Sequence, residues 1–165
     1  MLTREQINIL ATDEMRGEVA ANIGRDPLKV ALDKRLPHAQ LVATQVKYLQ
    51  RARTKLPSYY DAQCIIPPLA FEQSSGEKAA AQRRFSGAHA IDLTCGLGVD
   101  AFYLSKHFDK VTTVEADPIL AEVARINFGL LGAANITVVN STAEEFLAAN
   151  PLKYRRRRLS RFWKN

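Results

Sequence analysis

Cysteine is scarce in this chain of 165 residues, with only Cys64 and Cys95 present. They lie in segments of different character and do not read as a disulfide staple, so a reducing compartment, the cytoplasm, is the expected location. Nothing beside Cys95 reads as a base, which argues against a thiol nucleophile. His38, His89 and His107 are scattered without ligand spacing, so no metal centre is expected. No stretch approaches the roughly 20 consecutive apolar residues of a membrane-spanning helix. The N-terminal MLTREQINIL has no apolar core of the kind a secretory signal carries. Acid is missing from one place in particular. Residues 153–165 hold Lys153, Arg155 to Arg158, Arg161 and Lys164 and no carboxylate, so the net charge of +6 belongs to this tail and the rest of the chain is close to neutral. Such a run is either a solvated, disordered segment or, with Phe162 and Trp163, one that grips phosphates and stacks on bases.

Hydrophobic residues make up 47% of the chain, enough for a real core. The informative stretch lies between residues 90 and 117. An apolar strand around 89–93 ends on Asp92, and a tight turn follows, Thr94-Cys95-Gly96-Leu97-Gly98. A helix is expected from about Asp100 to His107, then a second apolar strand at 110–115 that ends on Glu115. This is a βαβ unit around a phosphate- or nucleoside-sized ligand. Gly96 and Gly98 permit the turn's dihedrals and let a ligand approach the backbone, and the helix N-terminus directs free N–H groups at the same place. Glu115 lies 23 residues after Asp92, where a carboxylate accepts both hydroxyls of a ribose.

Two cofactors compete for this geometry. Gly96 to Ala101 satisfies the loose dinucleotide pattern G-x-G-x-x-G/A, which makes an NAD-type module one alternative. Asp92 opposes it: a carboxylate beside the turn repels a pyrophosphate and attracts a sulfonium carrying a free amino group. Asp100, in the first helical turn, occupies ground a phosphate would need. The balance favours S-adenosylmethionine.

Asp92 to Gly98 resembles the first motif of class I S-adenosylmethionine-dependent methyltransferases, D/E-x-G-x-G-x-G, with Thr94 in place of the first glycine. Val114-Glu115-Ala116-Asp117-Pro118, followed by Ala124-Arg125-Ile126-Asn127, is similar to the second motif of RNA-modifying members. The resemblance covers about residues 88–148. It implies that Asp92 lies near the methionine moiety and that Thr94, Cys95, Gly96, Gly98 and Asp100 shape the cofactor pocket. It also implies that Glu115 holds the ribose, that Asp117 caps the next helix and lies near the adenine, and that Ala116 is among the cofactor-binding residues. Ile136 to Val139 reads as a third strand. The adenine-amino contact after it would fall to Asn140, Ser141 or Thr142, and the family's usual acid is absent among them.

Upstream, residues 1–85 read as a helical region. Thr3 and Gln6 form a capping pair, and Ile7, Leu10, Met15 and Val19 an apolar stripe. Asp26-Pro27 starts a short helix expected to bury Leu28, Val30, Ala31 and Leu32. A helix over 39–55 turns Leu41, Val42, Val46 and Leu49 inward and leaves Lys47, Arg51, Arg53 and Lys55 on its other side. Leu56 to Tyr60 ends it, and Ile65-Ile66-Pro67-Pro68 is extended. Ser74 or Ser75 is expected to cap a helix over 77–85, and Phe71 to Ser75 either lines the site or serves as a capping loop. The L-P-x-Y of Leu56 to Tyr59 and the F-E-Q-x-S of Phe71 to Ser75 are similar to bacterial methyltransferases with a THUMP-like domain, and to the trimethylguanosine synthase group.

The expected architecture is therefore α/β: a helical region at 1–85, a partial Rossmann-like sheet of about three parallel strands at 86–152, and a basic tail at 153–165. The family's catalytic motif follows a fourth strand, which should begin near Tyr154, and no such motif is present. The chain reads as truncated after its third strand, with catalytic residues unassigned. An exposed edge on the first strand makes self-association an expectation. The partners expected are S-adenosyl-L-methionine and RNA, without a membrane. The remaining alternative is a non-catalytic nucleic-acid-binding fragment.

Overall fold

The computed structural model describes residues 2–82 and 85–151. The basic tail and the expected start of a fourth strand lie outside them, as does part of the segment that was to extend the helix from 77 to 85. In chain order the elements are α1 (Arg4–Leu10), α2 (Asp13–Asn22), α3 (Pro27–Ala31), α4 (Ala39–Lys55), α5 (Pro57–Asp61), α6 (Pro68–Gln73), α7 (Glu77–Ala81), β1 (Gly87–Asp92), α8 (Val99–Ser105), β2 (Phe108–Glu115), α9 (Pro118–Leu130), β3 (Ile136–Asn140) and α10 (Ala143–Ala149). The class is α/β, as the strand–helix alternation predicts.

The helix starts follow local chemistry. Thr3 Oγ1 accepts the Gln6 N–H (3.2 Å) while Gln6 Oε1 accepts the Thr3 N–H (3.0 Å), which opens α1. Thr12 caps Met15 N–H and opens α2, so the Ile7, Leu10, Met15, Val19 stripe is buried but divided between two helices. Asp26 accepts the Leu28 N–H with Pro27 in the first helical position of α3. That helix corrects one expectation. Val30 is fully buried, whereas Leu28 and Leu32 are 75% and 78% exposed. They are four residues apart on one side of a five-residue helix, and Val30 is about 200° round from each, so only one side can face the core.

The segment expected to end α4 holds a second helix, α5, opened by Pro57. Ile65 to Pro67 lie outside any helix, with Pro67 extended, and Pro68 opens α6. Each proline sits where a missing N–H loses no bond. Phe71 to Gln73 thus belongs to α6 rather than to a site-lining loop. The Phe71 ring packs edge-on to Tyr48 of α4 at 5.5 Å, and Glu72 forms an ion pair with Arg51, whose N–H donors hold the Glu72 carboxyl below its ordinary range. Lys55 Nζ donates to the Phe71 carbonyl. The contacts of this segment lead to α4. Gly76, not a serine, is the N-cap of α7.

The sheet is parallel with order β1-β2-β3. Ala90 pairs with Val111 and Asp92 with Thr113, while Val111 pairs with Ile136 and Glu115 with Asn140. Parallel strands aligned in this register bring Asp92, Glu115 and Asn140 to one rim. In β2, Val111 and Thr113 point to one face and Thr112 and Val114 to the other, and all four are buried. β1, by contrast, has three exposed and three half-buried residues and, among the described residues, pairs on one side only.

One cluster of buried side chains runs from Leu2 to Ala133 and joins the helices to the sheet layer. Its polar hinge is the extended Ile65-Ile66 backbone. Asn127 of α9 accepts the Ile65 N–H and donates to the Ile65 carbonyl, both at 2.8 Å. Gln45 of α4 does the same for Ile66, at 2.9 and 3.3 Å. Both carboxamides are buried.

Removing one of them strands a buried N–H and a buried C=O. Asn127→Ala is therefore expected to cost about 2–4 kcal/mol in urea denaturation. A loss below about 1 kcal/mol would show that water or a shifted backbone substitutes for the carboxamide.

Candidate functional site

The sequence-predicted residues converge on the rim where β1 and β2 end. Asp92 closes β1. Its Oδ1 accepts the Thr94 N–H at 3.1 Å, forming an Asx turn that starts the loop. Its Oδ2 accepts from Thr113 Oγ1 at 3.0 Å, which ties the loop to the neighbouring strand. Thr94 is exposed. Cys95 is buried, and its N–H donates to the Val114 carbonyl at 2.8 Å.

From Cys95 the chain makes a four-residue turn, closed by Gly98 N–H to the Cys95 carbonyl at 2.8 Å. Of its two central residues, Gly96 alone has positive φ, at 53°, the sign pattern of a type II′ turn. The Gly96 N–H donates to Glu115 Oε2 at 2.7 Å. Glu115 Oε1 accepts the Asp117 N–H at 3.0 Å, so one carboxylate at the tip of β2 holds both the glycine turn and the following loop. Asp117 in turn caps α9, its Oδ1 accepting the Ile119 and Leu120 N–H groups.

The two glycines are required for different reasons. A Cβ on Gly96 would meet nothing within 4 Å; its need is the left-handed backbone, and the space in front of it is open. Gly98 combines φ 85° with a close approach: a Cβ there would lie 2.6 Å from Phe128 Cζ, and that ring is buried in the core. Gly98 is also the N-cap of α8 and supplies no capping side chain.

The remaining expected residues lie around this centre. Asp100 is half-buried in the first turn of α8, and Ala116 is exposed beside Glu115. Asn140 Nδ2 donates to the Glu115 and Ala116 carbonyls at 2.8 and 3.1 Å, and the Ser141 N–H reaches the Glu115 carbonyl at 3.1 Å. Thr142 caps α10 in a capping box with Glu145. The β3 tip is thereby fastened to the loop after Glu115, which places residues 140–142 on the same rim. The hydrogen-bond network links Asp92, Thr94, Cys95, Gly96, Gly98, Glu115, Ala116 and Asp117, with Thr142 at its border.

Sequence reasoning missed the support beneath the turn. Tyr59 of α5 donates its hydroxyl to the Leu97 carbonyl at 3.1 Å. Buried Glu77 accepts from Ser58 N–H and Oγ, both at 2.9 Å, and from the Tyr103 hydroxyl at 2.8 Å. The only signal available was the P-S-Y-Y following the long helix, which reads simply as a helix end.

The chemistry of the rim is that of a polar-ligand cradle. Each Glu115 oxygen holds one N–H and has a second acceptor site. Burial pushes the thiols of Cys95 and Cys64 up to about 12, so neither is a nucleophile near neutrality. Among the described residues, no group of three or more His, Cys, Asp or Glu could hold a metal ion, and no helix is long and apolar enough to cross a membrane.

No protein-family model matches the chain. It is 36% identical over 63 residues to a tRNA/tmRNA (uracil-C(5))-methyltransferase of Saccharophagus degradans, a match covering 38% of this chain and 17% of that protein. The enzyme with the same description from Psychromonas ingrahamii is 36% identical over 66 residues, 40% of this chain and 18% of the relative. The chain thus spans less than a fifth of either. In three dimensions it superposes with a TM-score of 0.74 and 26% identity on a crystal structure described as a presumed methyltransferase from Porphyromonas gingivalis W83, over 90% of this chain and 39% of that one. The fold is methyltransferase-like.

Both thiols should resist alkylation by iodoacetamide at pH 8 in the native chain and react fully once urea is added, as followed by mass spectrometry. The sign follows from pKa values raised by burial: the thiolate is scarce until pH rises toward about 12. Rapid native modification of Cys95 would mean that the turn opens readily.

Proposed function

We propose that this chain is the S-adenosylmethionine-binding portion of an RNA-directed methyltransferase. The observation that carries the reading is the Glu115 carboxylate, which bridges the Gly96 and Asp117 N–H groups on a rim shared with Asp92. The residues suit the cofactor. The side of Gly96 where a Cβ would stand is open, Glu115 retains acceptor sites for two hydroxyls, and Asp92 favours a cationic ligand over a pyrophosphate. Ala116, Asp117 and Thr142 are assigned to the adenine end, and Thr94, Cys95, Gly96, Gly98 and Asp100 to the wall of the pocket.

When bound, the cofactor supplies a methyl group already activated on a sulfonium. The chain's own work is then to bind and orient, since methyl transfer to a well-placed nucleophile needs little acid–base assistance. No described residue is assigned a catalytic role. The RNA direction draws support from the two relatives, whose names specify tRNA and tmRNA uracil, and from the exposed Lys47, Arg51 and Arg53 of α4. The kinship with THUMP-like methyltransferases and the trimethylguanosine synthase group rests on the sequence motifs, and a cytoplasmic location on the two reduced, buried cysteines. Among the described residues β1 has one unpaired edge, and self-association of the chain through that edge is part of this reading.

Calorimetric titration of S-adenosylmethionine into the folded chain should give saturable binding. Affinity should fall about tenfold or more in Asp92→Ala and in Glu115→Ala, about 1.4 kcal/mol or more. Glu115→Gln keeps one acceptor oxygen and so one of the two backbone N–H bonds; urea denaturation of each variant separates the loss of ribose contacts from collapse of the turn. Binding of NADH without response to S-adenosylmethionine would assign the site to a dinucleotide instead.

Size-exclusion chromatography with light scattering across a concentration series checks the β1 edge. The expectation is mass that rises with concentration. A clean, thermally stable monomer contradicts it.

A further inference from the structure

The helices before the sheet are built into the glycine turn. α5 follows α4 after a single residue, Leu56, and two of its neighbouring side chains reach α8 and the turn before it. Ser58 is joined through the buried Glu77 carboxylate to Tyr103 of α8. Tyr59, fully buried, sends its hydroxyl to the Leu97 carbonyl, and its ring stands edge-on to Phe102 at 6.1 Å.

Leu97 is the residue between the two site glycines. The peptide unit joining it to Gly98 is held at both ends. Its N–H goes to the Cys95 carbonyl, and its C=O accepts from Tyr59. The far side of this unit is blocked by Phe128, which packs where a Gly98 Cβ would be. A glycine-containing turn has more backbone freedom than any other. Its central plane, Gly96–Leu97, stands between two fixed points: the Gly96 N–H on Glu115 and the Leu97–Gly98 unit held by Cys95 and Tyr59. Anchoring the second point limits how far that central plane rotates. Burial also pushes the Tyr59 phenol well above its ordinary range, so it remains a donor.

We infer that Tyr59 is a positioning residue for the cofactor turn: it holds the Leu97 carbonyl so that Gly96 and Glu115 keep the geometry a ligand meets. The inference rests on the cofactor reading above for its ligand, and on the geometry alone for the clamp. It makes the helical region a structural part of the binding site. No contact between Tyr59 and the ligand is required.

The test compares wild type, Tyr59→Phe and Val30→Ala by two readouts. Val30→Ala removes buried volume in α3 and serves as a control for general destabilisation. The first readout needs no ligand: amide hydrogen exchange, resolved by NMR, at Gly96 and Gly98. Tyr59→Phe should speed exchange at these two amides about tenfold relative to the α9 amides, whereas Val30→Ala leaves that ratio unchanged. The second is the S-adenosylmethionine titration, where Tyr59→Phe should raise Kd about tenfold and Val30→Ala should not. Unchanged exchange at Gly96 and Gly98 in Tyr59→Phe overturns the clamp, whatever the ligand. Faster exchange with unaltered Kd overturns its link to binding. A wild-type chain that does not bind S-adenosylmethionine defeats the cofactor reading, while the exchange ratio still decides the clamp.

Discussion

The structure depends on two buried carboxamides that hold two residues of extended backbone. Ile65 and Ile66 pass between α5 and α6 without a strand partner among the described residues, in a region from which water is excluded. Gln45 and Asn127 supply the donor and acceptor that a neighbouring strand would otherwise give. Gln45 belongs to α4 and Asn127 to α9, so this one segment fastens the helical region to the helix that leads into β3. Buried polar groups of this kind are tolerated only when each is satisfied, which makes the joint specific as well as cohesive.

The consequence reaches the rim. Asn127 and Phe128 are adjacent in α9; one grips Ile65 and the other fills the space against Gly98. From the other side, α5 lays Tyr59 on Leu97 and joins Ser58 to α8 through Glu77. The glycine turn is therefore set between α9 and α5 before any ligand arrives, and Glu115 completes it from β2. Within the turn, Gly98 is closed off by Phe128 while the space in front of Gly96 is open. The methyltransferase-like superposition covers 90% of the chain, so this packing of the early helices against the sheet lies largely within the shared fold.

β1 is the exception to this closure. Its residues are apolar enough for a central strand, Ala88, Ala90 and Ile91 among them, yet it is an edge of the described sheet and carries no buried residue among them. Parallel strands ordinarily have both faces covered and partners on both sides within a sheet's centre. The site rim is stiff on the β2 side, where all of Val111 to Val114 are buried, and exposed on the β1 side, where Asp92 stands.

Much of this could be read without coordinates, because it is local. Thr3 with Gln6, Asp26 with Pro27 and Asp117 with Pro118 are caps whose partners lie within three residues. The strand–glycine turn–strand spacing forces Asp92 and Glu115 to neighbouring tips of a parallel pair. The polar character of the rim follows from those residue types. What the sequence concealed was long-range. Leu28 and Leu32 look like core residues, but a five-residue helix offers the interior one side, and Val30 occupies it. Pro57 looks like the end of a helix and Pro68 like the end of an extended run, yet each starts a helix, since the first helical turn needs no N–H there. Phe71 could be read as lining the site or as part of a capping loop; in the fold α6 packs it against Tyr48. Tyr59 could not be assigned a role at all, because its partner is a backbone carbonyl 38 positions away, and a carbonyl leaves no trace in residue identity. The sequence by itself determined the Thr3, Asp26 and Asp117 caps, the strands and the residue types of the rim; only tertiary packing decided which side chains hold the glycine turn in place, since those contacts depend on where distant backbone comes to rest.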